Sequence, residues 1–181
     1  DVDRYLETWH IPVNEGWRPK ITLRHLLSHT SGLTVHGFPG YQVSEPLPNT
    51  TQVLDGETPA NTARVEVNIL PGLQSRYSGG GVTVAQQLLV DFLKKPFPQI
   101  MHELVFEPLG LANSTYEQFL TKQWEKRTAT AHPWKGIPLL GKHRVYPEMA
   151  AAGLWTTATD LAKVGVELLQ VLNRKKAPAL L

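Results

Sequence analysis

A chain of 181 residues, 41% hydrophobic and 19% charged, carries enough apolar material for one domain with a sizeable core, a composition that excludes a disordered protein. A formal net charge of +2, without a basic stripe interleaved with aromatics, argues against nucleic acid as a partner. No apolar run is long enough to span a bilayer, and the absence of cysteine excludes disulfides and cysteine-ligated zinc.

In chain order, Thr22 is placed to cap a short helix whose Leu23, Leu26 and Leu27 share a face, ending near Ser31-Gly32. From Thr34 to Pro71 the chain is rich in Pro, Gly, Asn and Thr and reads as a long irregular stretch, a loop or lid rather than a linker. Thr83-x-x-Gln86 has the form of a capping box. It precedes a helix with Ala85, Leu88, Leu89, Phe92 and Leu93 at helical spacing. Pro98 suits the first turn of the next helix, with Ile100, Met101, Leu104 and Val105 on its apolar side and Pro108 and Gly110 as stops. After an irregular segment from Thr115 to Tyr146, a last helix is expected from about Thr159 to Asn173. Its inward residues would be Leu161, Val164, Leu168, Leu169 and Leu172. The cluster Arg174-Lys175-Lys176 then complements a helix C-terminus. Short strand signals occur at Arg64 to Ile69 and Thr128 to His132, so the expected fold is mainly α with a few short strands.

Three blocks carry chemical interest. The first is Leu26-Leu27-Ser28-His29-Thr30-Ser31-Gly32-Leu33, the second Arg76-Tyr77-Ser78-Gly79-Gly80-Gly81, and the third runs from Ala151 through Gly153-Leu154-Trp155 to Asp160-Leu161-Ala162. Ser28, His29 and Ser31 are adjacent in sequence, but a nucleophile and its base must meet in space with an orienting acid. No Gly-x-Ser-x-Gly elbow is present. His25 and His29 have the i, i+4 spacing of a metal pair, yet Leu26 stands where a metalloprotease would carry Glu. His102-Glu103 opens the same pattern, with Phe106 where its second His would be. No metal and no organic cofactor is expected. Trp124, Trp134 and Tyr146 are equally read as loop anchors or as the rim of a cleft.

In their order, the three blocks resemble the class C β-lactamase and penicillin-binding-protein-like serine hydrolases. The resemblance implies the helical subdomain of that α+β fold, with most of its sheet missing. It also implies which motifs to look for. No lysine here has a serine three positions before it, and no Lys-Thr-Gly or His-Thr-Gly occurs, so the chain is expected to be a central fragment. By the same resemblance Tyr77 is the catalytic residue, part of the base that activates a serine lying outside this chain. Ser78, Gly79, Gly80 and Gly81 would belong to the substrate cleft. A free tyrosine is phenolate only to about one part in a thousand at neutral pH, so a proton-accepting phenol needs a cation or a lysine beside it. Gly79 stands where the family often carries Asn, and glycine cannot supply that amide.

The resemblance implies acyl-enzyme hydrolysis of a small acyl or peptide substrate (β-lactam, ester or D-amino-acid peptide) by the whole protein, in a periplasmic or secreted setting. The chain alone would be inactive. It would form dimers or join a companion chain through the face where the sheet docks. The rival reading is a non-catalytic protein- or peptide-binding module derived from the same subdomain.

Overall fold

The computed structural model describes residues 1–13, 16–133 and 135–173. Trp134 and the basic cluster at 174–176 therefore lie outside the described residues. The chain opens with a 3-10 turn, Val2–Arg4, followed by helix α1, Leu23–Leu27. Thr22 caps α1: its Oγ1 accepts the His25 N–H, while His25 Nδ1 accepts the Thr22 N–H. The helix ends before Ser31-Gly32, because His29 already turns left-handed at φ 55°. His29 N–H donates to Leu26 O and Thr30 N–H to His25 O, the paired bonds of a Schellman ending in a position that glycine usually takes. Of the three leucines read as sharing a face, only Leu26 is buried.

Helix α2, Thr50–Asp55, lies within the stretch that composition marks as irregular. Asn49 and Gln52 cap it reciprocally, and Gly56 at φ 66° stops it. Helix α3, Gly79–Leu93, is the axis of the molecule. It starts a turn before the expected Thr83-Gln86 box, with Ser78 as the cap; Thr83 Oγ1 instead donates to Gly79 O inside the helix.

One apolar cluster on α3 gathers Leu6, Trp9, Ile21, Leu26, Leu33, Leu54, Val65 and Val67 around Val84, Ala85 and Leu88. A second joins Phe97, Phe106, Leu111 and Tyr116 to Leu89 and Val90. Buried polar side chains fasten the axis: Gln86 bonds Pro147 O, Thr50 Oγ1 and Ala150 N–H, and Gln87 bonds Thr8 and Asp91. Phe92, expected inward, is exposed, its ring edge-on to Tyr5.

Helix α4, Phe97–Met101, takes Pro98 in its first turn and runs on as a π-helical turn, His102–Phe106, leaving Leu104 exposed. After the short α5, Lys122–Glu125, and α6, Met149–Ala152, comes α7, Ala158–Leu172, capped by Thr157. On α7 the sequence expectation holds for Val164 and fails for its four leucines. Leu161, Leu168, Leu169 and Leu172 are 56–77% exposed, while the inward side carries Asp160, Val164 and Glu167. Periodicity marks that stripe as apolar, but nothing in the described residues covers it.

Neither expected strand forms. Arg64 to Ile69 contributes one bridge, Val67 to Leu33, and two other isolated bridges join Tyr41 to Val145 and Thr115 to Trp155. Thr128 to His132 instead belongs to a loop in which Ala131 bonds Lys142 and Leu139. The described architecture is thus mostly helical with almost no strand. Among the described residues no helix is long and apolar enough to cross a membrane.

Candidate active site

The first two sequence blocks meet in space. Residues 29–36 wrap around residues 76–80 through main-chain bonds: Arg76 N–H to His29 O (2.8 Å), Gly79 N–H to His36 O (3.1 Å) and Gly80 N–H to Val35 O (3.0 Å). The Arg76 guanidinium locks the wrap by donating to Gly32 O, Leu33 O and Asn68 Oδ1. Two non-glycine residues of this loop, His29 and Val35, have positive φ of 55° and 62°. For a β-branched residue that conformation is strained, so the bonds to the Arg76–Gly80 segment must hold it.

Tyr77 sits at the centre of the wrap, immediately before the cap of α3. Its side chain is 52% exposed, and its hydroxyl makes no hydrogen bond among the described residues. Two imidazoles pack on its ring: His29 with centroids 4.4 Å apart at 35°, and His36 at 4.9 Å and 49°. The phenol is therefore anchored by its ring and presented by its oxygen.

Ser78 is placed differently. It is buried, its Oγ donates to Thr34 O (2.8 Å) and accepts the Gly81 N–H (2.8 Å), and its N–H donates to His29 Nδ1. That hydroxyl is fully engaged as a helix cap. Gly79, Gly80 and Gly81 are buried in the first turn of α3, beneath the loop they bond. A Cβ on Gly80 would come within 2.7 Å of Thr34 O and 2.9 Å of Val65, and one on Gly79 within 3.0 Å of the Phe38 ring. Phe38 thus stands where a side chain at position 79 would project. Ser28 and Ser31 serve the loop: Ser28 Oγ donates to Arg24 O and pairs with Thr30 Oγ1, and Ser31 Oγ accepts the Leu33 N–H.

The third block supports the framework. Asp160 on α7 is fully buried and accepts from Asn113 N–H (2.7 Å), Ser114 Oγ (3.1 Å) and Lys163 Nζ (3.2 Å). Burial pushes its carboxyl up, but these bonds outweigh it and hold the group below the usual range. Asp91 on α3 behaves alike. Its burial is outweighed by the Glu7 and Thr8 N–H groups, the Thr8 hydroxyl and Gln87. Glu148, just before α6, is the opposite case. It is completely buried, neither oxygen reaches a donor on another residue, and burial pushes its pKa up to about 7 against only slight relief from its own backbone. Sequence reading names Asp160 only as part of the third block and passes over Asp91 and Glu148, because a carboxylate's burial depends on partners far along the chain.

Among the loop aromatics, Tyr146 lies over Gly40 and lines a cavity of about 260 Å³ with His143 and Trp155. Trp124 carries the Arg127 guanidinium 5.3 Å above its ring and borders a cavity of about 440 Å³. Neither cavity is lined by Tyr77. Among the described residues no group of three or more His, Asp or Glu is arranged to hold a metal ion. His25 and His29 instead spend their Nδ1 atoms on backbone N–H groups of Thr22 and Ser78.

A family model described as Beta-lactamase matches residues 1–180. No curated protein shows significant sequence similarity. Many solved structures share the fold. The hydrolase EstCE1, described as having promiscuous acyltransferase activity, is 26% identical over 93% of this chain and 51% of its own, with a TM-score of 0.65. A β-lactamase/D-alanine carboxypeptidase from Yersinia pestis is 22% identical, covering 92% of this chain and 44% of its own, at 0.60. A D-amino acid amidase from Ochrobactrum anthropi is 18% identical, covering 83% and 45%, at 0.63. The chain therefore spans about half the length of these neighbours, or somewhat less.

Proposed function

Since the chain belongs to the beta-lactamase family, we propose that it forms the helical subdomain of a serine hydrolase and that Tyr77 is part of the base acting on a serine supplied by another segment. The observation that carries this reading is the presentation of Tyr77. A half-exposed phenol with an uncommitted hydroxyl stands at the start of α3, clasped by the family's other block.

In the proposed reaction the serine oxygen bonds to a substrate carbonyl carbon while its proton passes towards the Tyr77 oxygen. The leaving amine or alcohol departs with a proton, and water then cleaves the acyl–serine bond. A neutral phenol is a poor base, so a cation must lie near it when the serine is in place. The Tyr77 hydroxyl is open for such contact.

The substrate class is a small acyl compound: an ester, an amide of a D-amino acid, or a β-lactam. The chemistries of the structural neighbours, a hydrolase with promiscuous acyltransferase activity, a β-lactamase/D-alanine carboxypeptidase and a D-amino acid amidase, support that class. Phe38 at Gly79 favours apolar over amide recognition beside the phenol, which weighs against a dedicated β-lactamase. A periplasmic or secreted setting accords with such substrates.

The 181 residues alone should lack acyl-transfer activity. The serines of the motif blocks are committed to caps and loop bonds, and none is paired with a lysine. Incubating the chain with a fluorophosphonate or a fluorescent penicillin and measuring its intact mass tests this. No adduct is expected, whereas a stoichiometric adduct on any serine would place the nucleophile here and overturn the assignment.

A further inference from the structure

The contacts around Tyr77 go further than presenting it. A ring that is half exposed and bonds nothing through its oxygen is not held by burial. What holds it are the imidazoles of His29 and His36, which come from two points of one strained loop. Both are tied to the residues that flank Tyr77. Arg76 N–H and Ser78 N–H bond the backbone oxygen and Nδ1 of His29, and Gly79 N–H bonds the backbone oxygen of His36.

We propose that His29 and His36 are positioning residues: together they fix the Tyr77 ring so that its hydroxyl points free for proton transfer. This deepens the reading of Tyr77 as part of the base, on which only its catalytic consequence rests.

The contacts are ring to ring, and no hydrogen bond joins either imidazole to the phenol oxygen among the described residues, so the pair orients the phenol rather than relaying its proton. The Ser78 bond sets which His29 nitrogen accepts. Nδ1 accepts an N–H, so the ring proton sits on Nε2; a proton on Nδ1 as well would set two donors against each other at 3.3 Å. The groups that touch the clasp or its flanking residues are Tyr77 itself, His36 across the same ring, His25 on α1 and Arg76. His25 Nδ1 takes the Thr22 N–H, and the Arg76 guanidinium is committed to Gly32, Leu33 and Asn68.

The test uses the 181-residue chain, with its tyrosine ring resonances read by NMR and the Tyr77 signal assigned from Tyr77→Phe. The proposal expects the Tyr77 ring signals upfield of a free tyrosine, from the imidazole ring currents. His29→Asn keeps an acceptor for Ser78 and tolerates positive φ, so the fold should persist while that shift shrinks. His36→Ala should shrink it independently, and His36→Phe should restore it. In the longer hydrolase, His29→Asn and His36→Ala should lower kcat about 10- to 100-fold through misplacement, with KM nearly unchanged. Tyr77 signals matching free tyrosine, or unmoved by either histidine substitution in a folded chain, would overturn the proposal. If those signals respond as expected but Tyr77→Phe leaves turnover intact, the clasp stands and the assignment of the base falls.

Discussion

Replacing Glu148 by Gln should stabilise the chain in alkaline solution and leave it nearly unchanged below pH 4.5. The carboxyl is completely buried without a donor from any other residue, and burial raises its pKa from 4.5 to about 7. A group whose folded pKa lies above its unfolded value holds its proton more tightly in the folded state. Its stabilising contribution is present below pH 4.5 and is lost as pH rises towards about 7 and beyond. Each tenfold difference in proton affinity is about 1.4 kcal/mol, so the full swing is roughly 3 kcal/mol. The amide mimics the protonated acid and cannot ionise, so the variant escapes that loss. Urea unfolding of both proteins from pH 4.5 to 8.5 measures it. The midpoints should converge at the acid end, with Glu148→Gln more stable by up to roughly 3 kcal/mol at the alkaline end. Parallel curves, or a variant less stable at pH 8.5, would refute the account of a buried, unpaired carboxyl.

Four further outcomes follow from the packing. Gly80→Ala should destabilise by about 1–3 kcal/mol in thermal unfolding, because its Cβ would strike Thr34 O and Val65. Gly165→Ala in α7, where a Cβ meets nothing within 4 Å, should instead stabilise by about 0.5–1 kcal/mol. Asp160→Asn should lose stability at neutral pH and flatten the acid limb of the stability curve. The wild-type carboxyl, held below 3.8, contributes above that value and loses its contribution as pH falls through its folded pKa. Finally, the exposed leucine stripe of α7 should drive association. In sedimentation the wild type should self-associate, and Leu168→Glu with Leu172→Glu should shift it towards monomer.

What the sequence made legible was local. Thr22, Pro98 and the 3.6-residue periodicity locate α1, α4 and α7 because capping and amphipathicity act within a turn or two. Asn49-x-x-Gln52 carried the same signal for α2, but the surrounding Pro and Gly obscured it. The start of α3 was misplaced because three glycines disfavour a helix by propensity. Here they form its first turn, because only glycine lets the loop at Thr34 to Phe38 approach so closely. Periodicity found the apolar faces of α1 and α7 but could not say whether a partner covers them, since burial is a property of the whole assembly. At the candidate site, the motif order singles out Tyr77 as the candidate residue. Its two histidines were not legible, because stacking across the 29–36 loop depends on a backbone with two left-handed residues that no propensity anticipates.

The central claim is that the Tyr77 hydroxyl moves a proton, and the most direct measurement compares kcat/KM with the unfolding midpoint for Tyr77→Phe in a hydrolase carrying this chain together with a Ser-x-x-Lys segment. Ser28→Ala, which removes only loop bonds to Arg24 and Thr30, serves as the control. The account predicts a fall of about 100- to 10,000-fold in kcat/KM for Tyr77→Phe, an unfolding midpoint close to wild type, and a control with near-normal turnover. Tyr77→Phe activity within a few-fold of wild type, or a Ser28→Ala variant that is the more damaged in turnover at unchanged stability, would contradict it.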